Sequence, residues 1–231
     1  MREASRNDWA DYAPSEIPTK THMPHIEHWL STLPLPARVL DVGCGTGGAS
    51  RLILKAGCRA IGIDINKEAI EELNREFDNR RDAEFYIQDI VSPSGFKLEN
   101  AQFDGVVCQL VASVVGDAID RSQLLKNICD ALRPAGKLSI SFSGLSGDIN
   151  TSYAELYTAD LAVTGEYGTY LSRDESSRVL YRTHHFAVEE IRNLLQDRGF
   201  HEIQIEEKVE ASSRRPDQRA RFYYVTCERR I

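Results

Sequence analysis

The chain has 231 residues, 42% of them hydrophobic and 27% charged, with a formal net charge of −7. That length suits one domain with a full hydrophobic core plus an elaboration. An acidic balance disfavours binding to nucleic acid by phosphate neutralisation, which needs a basic face. The one basic cluster, Arg214, Arg215, Arg219 and Arg221, reads as a solvated loop and strand edge. The five cysteines, at 44, 58, 108, 129 and 227, are odd in number and contain no C-x-x-C pair. This pattern excludes a disulfide framework and a structural zinc site and points to a reducing, cytoplasmic location. The N-terminus shows no apolar signal core, and the longest near-apolar run, Val106 to Val115, is half of the ~20 residues a membrane span needs.

Residues 1–36 precede the first strand. Pro24 opens a helix whose apolar positions, Ile26, Trp29, Leu30 and Leu33, make one buried stripe, and Pro34 and Pro36 end it. His22, His25 and His28 flank the stripe; a metal pair at 25 and 28 is the alternative to a polar helix flank. Trp9 and Tyr12 lie upstream in a second possible helix. The stretch Val39-Leu40-Asp41-Val42-Gly43-Cys44-Gly45-Thr46-Gly47-Gly48 follows. It reads as a buried strand running into a glycine-rich turn and then a helix. Without Cβ atoms the chain can turn sharply there and let a ligand approach its backbone N–H groups. Asp41 before the first glycine would repel a dinucleotide phosphate and can help hold a cationic amino-acid tail.

The second strand, Arg59 to Asp64, ends in an acid 21 residues after Gly43, a spacing suited to accepting ribose hydroxyls. Asn66 can cap the next helix, whose stripe is Ala69, Ile70, Leu73 and Phe77. A third strand over 84–87 leads into Gln88-Asp89-Ile90, a fourth begins at Phe103, and a fifth covers 137–142 after Leu132-Arg133-Pro134-Ala135-Gly136. Ser122 can cap the helix between strands four and five. Alternating strands and helices imply a parallel sheet covered on both faces, with ligands at the carboxyl ends of its strands. Residues 143–186 interrupt this rhythm and hold five of the nine tyrosines. A long connection of this kind commonly serves as a lid. A last helix ends at Gly199, and two closing strands, 200–209 and 220–227, complete the chain.

The ordered set Asp41-x-Gly43-x-Gly45, Asp64, Gln88-Asp89, Phe103-Asp104 and Leu132-Arg-Pro-x-Gly136 closely resembles the class I S-adenosylmethionine-dependent methyltransferases over residues 37–142. The resemblance implies an α/β, Rossmann-like seven-stranded sheet, mostly parallel with an antiparallel last strand and helices on both faces. It implies S-adenosylmethionine as cofactor, with Asp41, Gly43, Cys44 and Gly45 around the methionine part, Asp64 on the ribose and Ile65 against the adenine. Asp89 falls near the adenine amino group, Ile90 supplies a backbone donor, and Gln109 with Leu110 closes the pocket. It places an N-terminal segment, residues 1–36, over the cofactor, where Tyr12 is a candidate cap for the sulfonium; core packing is the alternative for this ring. Residues 37–142 then form the cofactor-binding core, 143–186 the acceptor-site lid, and 187–231 the remainder of the sheet.

Absent motifs narrow the acceptor. Strand four lacks the Asp/Asn-Pro-Pro-aromatic motif of amino-methylating enzymes acting on bases or glutamine side chains. There is no Pro-Cys pair for attack on cytosine, and no strand-four carboxylate to hold magnesium. The expectation is a metal-independent enzyme methylating an O, N or C atom of a small molecule. His184 and His185 are the candidate general bases, since histidine titrates near neutral pH; Glu166 and Tyr170 are weaker candidates. The alternatives are an RNA or protein methyltransferase, a non-catalytic cofactor-binding protein on the same fold, and an NAD-dependent oxidoreductase. Asp41 and the glycine spacing disfavour the last, because the third glycine of the dinucleotide pattern would fall at 48.

Overall fold

A computed structural model describes residues 6–17, 23–98, 102–174, 176–212 and 218–231. Strands β1 (Arg38–Val42), β2 (Arg59–Asp64), β3 (Ala83–Ile87), β4 (Phe103–Cys108) and β5 (Leu132–Ser143) pair in parallel. A hairpin of β6 (Thr169–Arg173) and β7 (Val179–His184) forms a separate two-stranded sheet. β8 (Phe200–Ala211) and β9 (Arg219–Arg229) complete the main sheet in the order β3-β2-β1-β4-β5-β9-β8. β9 is antiparallel to both of its neighbours. The seven-stranded, Rossmann-like arrangement with one antiparallel last strand is therefore present.

The strand alternation explains the two covered faces. Val39 on β1 packs with α1 (Pro24–Leu30), α2 (Gly48–Lys55) and α3 (Lys67–Glu76) through Ile26, Trp29, Ile53 and Leu73. Its neighbour Leu40 points the other way, toward Leu124 and Ile128 of α4 (Ala118–Ala131) and Ile191 of α6 (Val188–Asp197). A third cluster joins Tyr153 and Tyr157 of α5 (Thr151–Thr164) to Tyr170, Phe222 and Tyr224. α5 and the β6–β7 hairpin thus fill the long connection after β5.

Pro24 occupies the first turn of α1, and the Asn66 side chain caps α3 by accepting from Ala69 N at 2.9 Å. The same Asn66 donates through Nδ2 to Trp9 O (3.0 Å) and Tyr12 O (2.8 Å). These bonds hold the N-terminal segment, where the sequence offered a second possible helix, as a 3-10 helix over Arg6–Asp11. α4 also departs from expectation. It starts at Ala118, so Ser122 lies inside it and accepts from Arg198. The added turn carries Arg121 inward, where it donates to Gly116 O at 2.9 Å. Among the described residues, no helix is long and apolar enough to cross a membrane.

Candidate functional site

One cavity opens at the carboxyl ends of β1, β2 and β4, and residues of α5, β6 and β7 also line it. Its first half is built by the glycine turn. Gly43 has φ +68°, and a Cβ there would lie 2.4 Å from Val111 Cγ2, so the turn and the β4 loop approach to a distance only glycine permits. Gly45 N donates to Asp64 Oδ2 and Asn66 N to Oδ1, both at 2.8 Å. The carboxylate is fixed in orientation at the cavity wall, with lone pairs left for further donors. Burial pushes the Asp64 carboxyl above its ordinary range, while the amide donors pull it back.

Asp89 and Ile90 follow β3 and also line the cavity. Asp89 Oδ1 accepts from Val91 N at 3.1 Å. The buried Asn127 of α4 clasps this loop from behind, donating to Ile90 O (3.1 Å) and Ser92 O (2.9 Å). From the β4 side, Gln109 and Leu110 reach the cavity. Gln109 Oε1 lies 3.2 Å from His25 Nε2, and Leu110, at φ +61°, donates its N–H to Ser141 Oγ at 2.9 Å. A branched residue in left-handed backbone is held there by its neighbours, a form of local strain common at ligand sites.

The second half is aromatic. Tyr153, Tyr170, Tyr181 and Phe222 wall it, with Trp9 entering from the N-terminal turn. His185 lies among them. Its Nδ1 is 2.6 Å from Tyr157 Oη, its Nε2 is 3.3 Å from Tyr170 Oη, and Tyr153 packs on the ring at 5.0 Å. Tyr157 Oη also accepts from Ser146 N at 3.2 Å. Burial pushes the Tyr157 phenol well above its ordinary value, so it stays protonated. An amide can only donate, so the phenolic proton has His185 Nδ1 as its acceptor. The opposite imidazole tautomer would leave that buried hydroxyl without an acceptor, at a cost of ~1–3 kcal/mol.

Residues 39–136 match the methyltransferase domain family. The chain superposes over 92% of its length on the whole of a SAM-dependent methyltransferase from Methanosarcina mazei, with 24% identity and a TM-score of 0.78. The fold is that of the class I S-adenosylmethionine-dependent methyltransferases. Within that fold the chain is also similar to the 1,6-didemethyltoxoflavin-N1-methyltransferase of Burkholderia thailandensis, solved with 1,6-didemethyltoxoflavin and S-adenosylhomocysteine. Those two share 19% identity with a TM-score of 0.59 over 98% of this chain and 82% of that one. By sequence, a Bacillus subtilis protein carrying a methyltransferase name, YqeM, is 25% identical over 78% of this chain and 81% of its own length. Three further curated relatives align over 40–44% of their own length.

Set against this methyltransferase fold, Gly43, Gly45, Asp64, Ile65, Asp89, Ile90, Gln109, Leu110 and His185 all line the cavity. Four candidates do not. Asp41 is 2% exposed and lies beneath the glycine turn, where Ser50 Oγ donates to it at 2.6 Å. Burial pushes its carboxyl up to about 7; the Ser50 bond opposes this and the nearby Asp64 charge adds to it. Cys44 is buried toward Gly62, and burial raises its thiol well above the ordinary value. Tyr12 stacks behind the wall on Trp9, at 5.0 Å between ring centroids, so Trp9 and not Tyr12 is the ring at the cavity.

His184 is the fourth. Neighbouring residues of an extended chain point to opposite sides, so His184 faces away from the cavity that His185 enters. It is 2.7 Å from Thr169 Oγ1 and 3.0 Å from Glu190 Oε1, and Glu166 lies 3.4 Å away. Ligand atoms of Glu166, His184 and Glu190 lie within 4.8 Å of one another, near enough to hold a metal ion. The buried guanidinium of Arg121, however, bonds Glu166 and lies 4.0 Å from Glu190. It supplies the positive charge that the carboxylates need, and a metal would have to displace it. The N-terminal histidines take other parts. His25 serves Gln109, His28 is exposed, and His22 lies outside the described residues. Of the basic cluster, Arg214 and Arg215 lie outside the described residues. Arg221 pairs with Asp148 and Glu207, both at 2.7 Å.

Proposed function

We propose that the chain transfers a methyl group from S-adenosylmethionine to a small-molecule acceptor without a catalytic metal. The observation that carries this reading is Asp64, clamped by two backbone amides at the end of β2, in one cavity with a wall of tyrosines. The residues fit the cofactor. Asp64 presents oriented acceptors to ribose hydroxyls, the Gly43–Gly47 turn leaves room for close backbone approach, and Ile65, Asp89 and Ile90 offer an apolar and polar edge for adenine. When bound, the cofactor supplies a methyl group already activated by its sulfonium.

The chain's own residues then have to position the acceptor and exclude water. Such alignment is worth ~7–11 kcal/mol. Residues 6–17 and 143–186 serve this as cover and lid: Trp9, Tyr153, Tyr170 and Tyr181 bring rigid aromatic area to the cavity mouth. Asp41 acts from beneath the glycine turn as an acid whose ionisation is costly unless a cationic group approaches. Small-molecule acceptors fit the aromatic wall better than RNA, and Arg219 and Arg221 are engaged by Val209 O and by carboxylates. Five free cysteines, four of them buried, accord with a cytoplasmic location. A screen of a metabolite library for S-adenosylhomocysteine release, run with and without chelator, tests the reading. A turnover-supporting acceptor in the presence of chelator supports it, and release only with RNA or protein substrates refutes it.

A further inference from the structure

We propose that Asn127 is a positioning residue for the nucleobase of the cofactor. From behind the loop after β3 it fixes the peptide that aims Asp89, and so sets a preference for a base that presents an amino group. The inference rests on the methyl-transfer reading of this cavity, with Asp89 beside the base. Asn127 is 1% exposed and does not itself line the cavity. Its side-chain amide is fully directed. The carbonyls of Ile90 and Ser92 can only accept, so the NH2 group has to face them, at 3.1 and 2.9 Å. The Asn127 Oδ1 accepts from Gln123 Nε2 at 2.7 Å, one turn earlier in α4. Both amide protons are thereby committed to one short stretch of the loop.

One peptide group carries this clasp to the cavity wall. The Ile90 carbonyl and the Val91 N–H belong to the same planar, trans peptide and point in opposite directions. With the carbonyl drawn toward α4, the N–H turns away from α4 and donates to Asp89 Oδ1 at 3.1 Å. A flipped peptide would set the Ile90 oxygen against that carboxylate, acceptor against acceptor, and strand a buried Asn127 donor. Other bonds close the loop without choosing this orientation. Gln88 Oε1 accepts from Lys97 N at 2.9 Å, Gln88 Nε2 donates to Lys97 O at 3.1 Å, and Ser92 N donates to Asp89 O at 3.1 Å. Asp89 and Ile90 line the cavity, so the orientation that Asn127 selects is felt there. A carboxylate held in one orientation favours a base that offers it a donor and rejects one that offers an oxygen.

The test compares S-adenosylhomocysteine with S-inosylhomocysteine, whose base carries a carbonyl oxygen in place of the amino group, by calorimetry on the whole chain. The wild type should bind the adenosyl compound about tenfold or more tightly. Asn127→Leu, with the same side-chain branching but no donor, should shrink that ratio about threefold or more. Asn127→Ser, whose hydroxyl cannot serve both carbonyls, is the milder variant and should shift the ratio the same way. An unfolded fraction weakens both ligands by the same factor, so the ratio reports the site and not the loss of fold. With Asp89→Ala already in place, Asn127→Leu should change the ratio no further, because it acts through Asp89. A ratio left at the wild-type value by the Asn127 variants, or one that Asn127→Leu still shrinks when Asp89 is alanine, would overturn the proposal. A wild type that binds both compounds equally overturns it as well and leaves methyl transfer standing, whereas absence of S-adenosylhomocysteine binding refutes methyl transfer itself.

Discussion

Replacing Asp41 by asparagine should stabilise the protein at neutral pH, although it deletes a charge beside a ligand site. The Asp41 carboxyl is held under the glycine turn with the Ser50 hydroxyl as its donor, and burial pushes its pKa to about 7 from an ordinary 3.8. Between those values the folded state keeps the proton that the unfolded chain has released. Folding then binds more protons than unfolding, so the stability associated with Asp41 falls as pH rises through this window and stays low above it. A difference of about three units corresponds to about 4 kcal/mol at an order of magnitude. Asparagine is isosteric, still accepts from Ser50, and never ionises. Urea unfolding of both proteins at about pH 4, 6 and 8 measures the effect. The variant's advantage should be near zero at the acid end and grow toward a few kcal/mol at the alkaline end. An advantage that is constant with pH, or a loss at about pH 8, would refute the buried-acid reasoning.

Asp64→Ala should weaken S-adenosylhomocysteine binding by about 10–150-fold, the equivalent of ~1.5–3 kcal/mol for lost bonds to a charged acceptor, as read by calorimetry. Gly43→Ala should abolish cofactor binding or cost ~1–3 kcal/mol of stability, because its Cβ would sit 2.4 Å from Val111 Cγ2. Val111→Ala in the same chain should recover much of that loss, and failure to recover would move the cause to the left-handed backbone itself. Turnover should survive exhaustive chelation; activity lost to chelator and restored by magnesium or zinc would assign a metal to Glu166, His184 and Glu190. Arg121→Met should destabilise the chain by up to about 3–5 kcal/mol, because it strands the carboxylates it now neutralises; thermal unfolding with no change would show the cluster to be dispensable.

Local signals carried most of the cofactor half. The glycine turn, Asp64 at the end of an apolar strand and Asn66 as a helix cap are all encoded by neighbours in sequence, and they fall where the spacing puts them. The supports behind them are long-range. Asn127 reaches Ile90 across 37 positions and His25 reaches Gln109 across 84, so no spacing rule finds either. The paired histidines show the opposite limit. In an extended segment only one of two adjacent side chains can enter the cavity, but the sequence did not show a strand at 179–184 and left both His184 and His185 as candidates. That choice was settled by Tyr157 on one side and by Arg121, Glu166 and Glu190 on the other, contributed by four separate segments. The β6–β7 hairpin was hidden because its strands mix polar and apolar residues without a clean alternation and pair only with each other. Ser122 shows that a good capping residue does not start a helix when the following Arg198 claims its hydroxyl and the preceding turn can bury Arg121.

The most direct measurement is a calorimetric titration of the purified chain with S-adenosylhomocysteine and, in parallel, with NAD. Saturable one-to-one binding of S-adenosylhomocysteine, sharply weakened by Asp64→Ala, with no heat from NAD, is the expected result. Binding of NAD, or S-adenosylhomocysteine affinity that is absent or indifferent to Asp64, would contradict the assignment of this cavity.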